Sequence, residues 1–153
     1  MKPTSEVAIA GKINESAPVI ASSEIIIQAD TMIVWELISG IDRWPTWVRS
    51  ITKAKLEGKL TPSASFRWKS NGLWINSTLK LVEPGAKLAW TGKAAGMTAI
   101  HIWELHDHED GGILVKTSES MEGFLAKLLM SPAKLERSLS DWLEDLKCAA
   151  ENG

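Results

Sequence analysis

The chain has no tyrosine, a single cysteine and only two phenylalanines. It also has no run of basic residues. Each shortage excludes something. Without a phenol, no step can rely on a tyrosine acid. With Cys148 alone, no internal disulfide can form, which suits a reducing compartment. Seventeen Lys and Arg are interspersed with nineteen Asp and Glu, for a formal charge of -2. The electrostatic footprint of a nucleic-acid binder is therefore missing. No window approaches the roughly 20 apolar residues of a membrane span. The apolar stretch at 7–10 is too short for the core of a secretory signal. On these grounds the expected location is the cytoplasm, with no nucleic-acid partner and no membrane span. What the chain does have is eight tryptophans in 153 residues. Each offers a large flat apolar surface with one N–H donor.

Residues 1–22 are polar and rich in small residues, with Pro3 and Pro18. They read as a partly extended, loose extension, ahead of one domain over 23–153. The β-branched run at 24–28 predicts a strand. Asp30 is placed to cap a helix through Ser39 whose apolar residues Ile33, Val34, Trp35, Leu37 and Ile38 recur at helical spacing. Gly40 ends it, and Pro45 keeps a second helical element near 42–47 short. From 51 to 121 the pattern changes to six strands, at 51–56, 65–70, 74–82, 87–91, 99–105 and 113–121. Turn signals such as Asn71-Gly72, Glu83-Pro84-Gly85 and Asp110-Gly111-Gly112 separate them, which implies an antiparallel meander. A short helix is expected at 124–130. A long one then follows the cap Ser131, with Pro132 at its first position. Leu135, Leu139, Trp142, Leu143 and Leu146 form its apolar stripe. Strand, two helices, six strands and a long helix make an α+β protein with a helix against one face of an antiparallel sheet.

Several strings carry a family likeness: Ile41-Asp42-Arg43-Trp44-Pro45-Thr46-Trp47, Phe66-Arg67-Trp68, Leu88-Ala89-Trp90-Thr91-Gly92, His101-Ile102-Trp103 and Glu119-Ser120-Met121-Glu122-Gly123. With the element order, they resemble the START/polyketide-cyclase superfamily, also called SRPBCC, over about residue 22 to the C-terminus. The resemblance implies a helix-grip fold, in which a curved sheet of about seven strands wraps a long C-terminal helix. It also implies a cavity for a small hydrophobic molecule between the two. It does not select a reaction, because the superfamily includes cyclases, dehydratases, lipid carriers, hormone receptors and chaperone activators.

Side chains alternate across a sheet, so the inner face can be chosen from sequence. Pairing about the turn near Asp110 sets Leu105 against Val115, Trp103 against Thr117 and His101 against Glu119. The turn at 83–85 brings Leu79 to Trp90, the connection through 92–96 brings Trp90 to His101, and Asn71-Gly72 brings Trp68 to Ile75. The inner face is then Phe66, Trp68, Ile75, Ser77, Leu79, Trp90, His101, Trp103, Val115, Thr117, Glu119 and Met121, faced by Leu139 and Trp142 of the helix. Bulky rings with a few polar groups suit a small-molecule pocket and equally an ordinary core. The family resemblance favours the pocket.

A buried carboxylate needs a partner or a proton. His101 opposite Glu119 therefore reads first as a structural contact, and second as a polar anchor for ligand or an acid/base pair. Trp44 and Trp47, three apart, read as a cork for one end of the core or as a rim of the cavity mouth. His106 and His108 lie in an exposed turn without further ligands, so no metal is expected. Cys148 reads as an inert thiol. No phosphate loop, dinucleotide fingerprint or Ser-His-Asp spacing is present, and no cofactor is expected. Three readings follow: a carrier or sequestering protein for a hydrophobic molecule; a cyclase or dehydratase using His101 and Glu119; and a protein-interaction module presenting Trp74 and Ile102 from the outer face.

Overall fold

A computed structural model describes residues 4–152. Lys2 and Pro3, placed by the sequence in the extension, lie outside the described residues, as does Gly153. The elements run α1 (Thr4–Ile9), β1 (Val19–Ile27), α2 (Thr31–Ser39), a 3-10 turn (Ile41–Arg43) and α3 (Trp44–Trp47). Then come β2 (Ile51–Leu56), β3 (Ser65–Ser70), β4 (Leu73–Glu83), β5 (Lys87–Ala94), β6 (Met97–Asp107) and β7 (Ile113–Glu122). The chain closes with α4 (Ala126–Leu129) and α5 (Pro132–Asn152). All seven strands form one antiparallel sheet in the order β1-β7-β6-β5-β4-β3-β2. The first strand returns beside the last, and the meander runs outward to β2. Register shifts at Ile51/Lys53 and Leu79/Leu81 interrupt two ladders, and such irregularities bend strands and increase their twist. The curved sheet grips α5, whose stripe Leu135, Leu139, Trp142, Leu143 and Leu146 is buried. This is the α+β helix-grip fold.

The hairpin pairings hold as derived. Leu105 faces Val115, Trp103 faces Thr117 and His101 faces Glu119. Leu79 faces Trp90, Trp90 faces His101 and Trp68 faces Ile75. The turns at Asn71-Gly72 and Ala95-Gly96 fix these registers, with all four residues at positive φ. Ser131 caps α5, its Oγ accepting from the Lys134 backbone N–H at 3.1 Å.

Three expectations are corrected. First, β1 begins at Val19, not at 24, and the segment before it is ordered on the sheet's outer face. Ala8 of α1, with Val7 and Ile13, packs on Ala89, Ile100 and Ile102. The Asn14 backbone N–H donates to Ser120 Oγ at 3.0 Å. Second, Ile102 does point outward, but α1 covers it, leaving it 3% exposed. It therefore forms no surface patch with Trp74. Trp74 itself is half-buried beneath the Arg67 guanidinium, 4.1 Å from its ring centroid. Third, Asp30 occupies the N-cap position of α2, yet its side chain makes no cap bond. Its backbone carbonyl instead accepts from Ile33 and Val34.

Candidate ligand-binding cavity

The inward side chains of the sheet form rows, because residues paired across strands share a face. One row is Leu88, Trp103 and Thr117, and the next is Leu79, Trp90, His101 and Glu119. The third is Ser77, Gly92, Ala99 and Met121, and the last is Ala94 with Met97. Bulk falls steeply between the second row and the third. The sheet and α5 stay connected, so the lost volume becomes a cavity of about 370 Å³. It opens beside the β3–β4 and β5–β6 turns and the α4–α5 junction, where Asn71, Leu73, Ala95, Met130 and Lys134 line it.

Of the residues chosen from sequence, Trp68, Ile75, Trp90, His101, Glu119, Met121, Leu139 and Trp142 line this cavity. Phe66, Ser77, Leu79, Trp103, Val115 and Thr117 share their face but lie in the packed core. There Phe66 and Trp90 meet edge-on at 5.5 Å, and Trp103 and Trp142 at 5.2 Å. Trp44 belongs to the same packed end, 5.2–5.7 Å from the rings of Phe66, Trp68, Trp90 and Trp142. Its Nε1–H donates to the Ile38 carbonyl at 3.0 Å. It is a cork, not a rim, and Trp47 beside it also stays out of the cavity lining.

The sequence reading missed Gly92, Ala94, Met97 and Ala99, along with Leu135 and Ser138 of α5. Inward parity continued two residues past Trp90 and two before His101 would have found the strand residues. Treating 92–96 as a loose connection hid them. Leu135 and Ser138 lie on the Leu139–Trp142 face at helical spacing.

Two polar groups stand out in the cavity wall. Trp68 Nε1–H donates to Ser77 Oγ at 3.0 Å, which satisfies the indole behind the lining. His101 and Glu119 meet with Nδ1 3.6 Å from Oε1, and the two side chains are 2% and 13% exposed. On its other side His101 Nε2 lies 2.9 Å from Thr117 Oγ1. The Thr117 hydroxyl donates onward to the Ile102 carbonyl at 3.0 Å. Burial pushes the His101 imidazole down to about 3 and the Glu119 carboxyl up to about 8. Burial thus favours the uncharged form of each. Among the described residues no group of three His, Cys, Asp or Glu could hold a metal, and no helix is long and apolar enough to cross a membrane.

The family described as polyketide cyclase/dehydrase and lipid transport matches residues 18–151. The chain belongs to this family. The match takes in β1 through nearly all of α5, the whole grip around the cavity. Among solved structures, hypothetical protein jhp0584 from Helicobacter pylori is similar at 20% identity. The alignment spans 98% of this chain and 95% of that one, with a TM-score of 0.80. A START superfamily protein from Mycobacterium smegmatis is similar at 13% identity, over 87% and 94% of the two chains, with a TM-score of 0.67. Ara h 8.0201 is similar at 12% identity, over 87% and 95%, with a TM-score of 0.65. At these identities the likeness is one of fold. Among curated proteins, none matches this sequence.

Proposed function

We propose that this family member binds a small, mostly apolar molecule in the cavity between the sheet and α5, as a cytoplasmic carrier or sequestering protein. The observation that carries this reading is the loss of bulk from Trp90 and His101 to Gly92 and Ala99 along an otherwise filled inner face. A domain with no use for space would fill it, because packing to native density stabilises the core. The volume of about 370 Å³ lies at the lower end of the range for small-molecule sites. It suits one compact molecule better than a lipid with two long chains. Trp68, Trp90 and Trp142 in the wall favour flat rings.

A cyclase or dehydratase is the second reading, favoured by the one observation that an imidazole and a carboxyl meet at the cavity wall. It is the weaker of the two, because His101 lies deeper than Glu119 and its Nε2 is already engaged by Thr117.

The test is native mass spectrometry of freshly purified protein, together with tryptophan-fluorescence titration against a panel of flat apolar compounds. A co-purifying small molecule or a saturable change, altered in Trp90→Phe, is expected. No bound species and no saturable change across the panel would remove the carrier reading.

A further inference from the structure

The polar wall of the cavity has a direction, and that direction selects a ligand. A backbone carbonyl can only accept, so the chain of contacts can be read outward from Ile102. Its oxygen takes the Thr117 hydroxyl proton at 3.0 Å. A hydroxyl has one proton to give, so Thr117 Oγ1 can only accept from His101 Nε2 at 2.9 Å. The Nε2 nitrogen therefore carries the imidazole proton, and Nδ1 is a bare acceptor. Nδ1 is buried and has no hydrogen-bond partner. On the cavity side Glu119 Oε1 lies 3.6 Å from it.

We infer that Glu119 is held as the acid, donates its proton to His101 Nδ1, and turns its remaining carbonyl oxygen to the cavity as an acceptor, so that the ligand must present an O–H or N–H donor there and not a carboxylate. The 3.6 Å separation closes to hydrogen-bonding distance by a small movement of the Glu119 side chain. Catalytic and binding hydrogen bonds are commonly this loose before a ligand arrives. The upward push on the Glu119 carboxyl agrees with the assignment.

The neighbours leave it undisturbed. On β1, Ala21 pairs with Glu119 and brings no charge. On α5, Lys134 is the one cation among the described lining residues, and it makes no ion pair with Glu119. At Glu119 itself a ligand carboxylate would meet only the lone pairs of the carbonyl, since the other donors of the lining, the Lys134 ammonium and the unpartnered Trp142 Nε1–H, belong to α5. Burying such an unpaired group is unfavourable. The chemical class is thus a compact, flat, apolar alcohol, phenol or amide. This rests on the cavity-binding reading and narrows it.

The experiment uses three probes of one shape in calorimetric titrations at pH 7: 2-naphthol, 2-methoxynaphthalene and 2-naphthoate. The naphthol should bind at least tenfold tighter than the other two. Glu119→Gln should keep that preference, because an amide can donate to Nδ1 and still show a carbonyl to the cavity. Glu119→Leu should erase it, leaving the naphthol and its methyl ether equal. If the methyl ether or the naphthoate binds as tightly as the naphthol, the donor requirement is wrong while the cavity reading stands. If none of the three binds, the cavity reading itself falls and takes the requirement with it. A ligand-independent check is the ring-nitrogen NMR spectrum of His101, assigned by its loss in His101→Gln. A neutral ring protonated at Nε2 is expected at pH 7. An imidazolium, or a ring protonated at Nδ1, overturns the assignment.

Discussion

The space between the sheet and α5 has two ends made from the same elements. At one end Trp44, Phe66, Trp90, Trp103 and Trp142 interlock with Leu143 and Leu146. At the other, Val19, Ala21, Met97, Leu135 and Leu139 form a smaller cluster with Ala126, and the cavity lies between the two. Strand pairing and helix contact continue through both, so backbone architecture does not distinguish them. Side-chain volume along β5 and β6 does: Leu88 and Trp90 give way to Gly92 and Ala94, and Trp103 and His101 to Ala99. At Gly92 even one added carbon would lie 3.1 Å from Ser77 Oγ and 3.3 Å from Ile75 Cγ2. The hollow thus combines small residues in the wall with a point at which the wall thickens only if Ser77 and Ile75 give by a few tenths of an ångström. The aromatic end supplies stability, and it holds the sheet open over the hollow between the two clusters.

The sharpest way to break this contrast is at the cork. Trp44→Ala should lose roughly 3–5 kcal/mol, the usual cost of deleting a buried large ring, read as a shift in the urea midpoint. A loss under about 1 kcal/mol would mean that the aromatic end does not carry the fold.

A smaller effect should come from the boundary between the ends, as a dependence on pH. Glu119 is raised to about 8 from an ordinary 4.5, so its contribution to stability is complete below 4.5 and is lost as pH rises through 8. His101 is lowered to about 3 from 6.5, so its contribution grows as pH rises from 3 and levels off as pH passes through 6.5. The two slopes oppose one another between 4.5 and 6.5. From pH 6.5 to 8 the Glu119 slope dominates, and stability should fall by about 1 kcal/mol. Glu119→Gln should flatten that fall. A wild-type curve that is level or rising over this window would show that Glu119 is ionised in the folded protein.

The smallest stability change is expected in the hollow. Ala99→Leu adds bulk where the wall faces space, so the unfolding free energy should move by less than about 1 kcal/mol. Overpacking a filled core typically costs 1–3 kcal/mol. Saturable binding of flat apolar probes should nevertheless be lost. Probe binding that survives this filling would place the ligand elsewhere.

Much of this was legible in one dimension. The pairing of His101 with Glu119 followed from counting outward from the turn near Asp110, because the strand period of two and a short turn leave little freedom in register. The stripe on α5 was equally plain, since Leu135, Leu139, Trp142 and Leu146 repeat at helical spacing. The segment before β1 was less so. Thr4–Ile9 is a short helix of weak pattern that forms against Ala89, Ile100 and Ile102, and tertiary packing overrides local propensity in such a piece. Nor could the alternation that puts Trp103 and Trp90 on one face tell which of them borders empty space.

Periodicity and turn chemistry are local, and they suffice for the α+β order, the antiparallel meander, the inner face and the meeting of His101 with Glu119. Three-dimensional packing was needed to show that Trp44 corks the filled end, that α1 covers Ile102, and that Phe66, Leu79 and Thr117 are core while Gly92 and Ala99 are cavity wall. Those outcomes depend on how the volumes of residues distant in the chain add up across the sheet and α5, and that sum exists only once the sheet has closed on the helix.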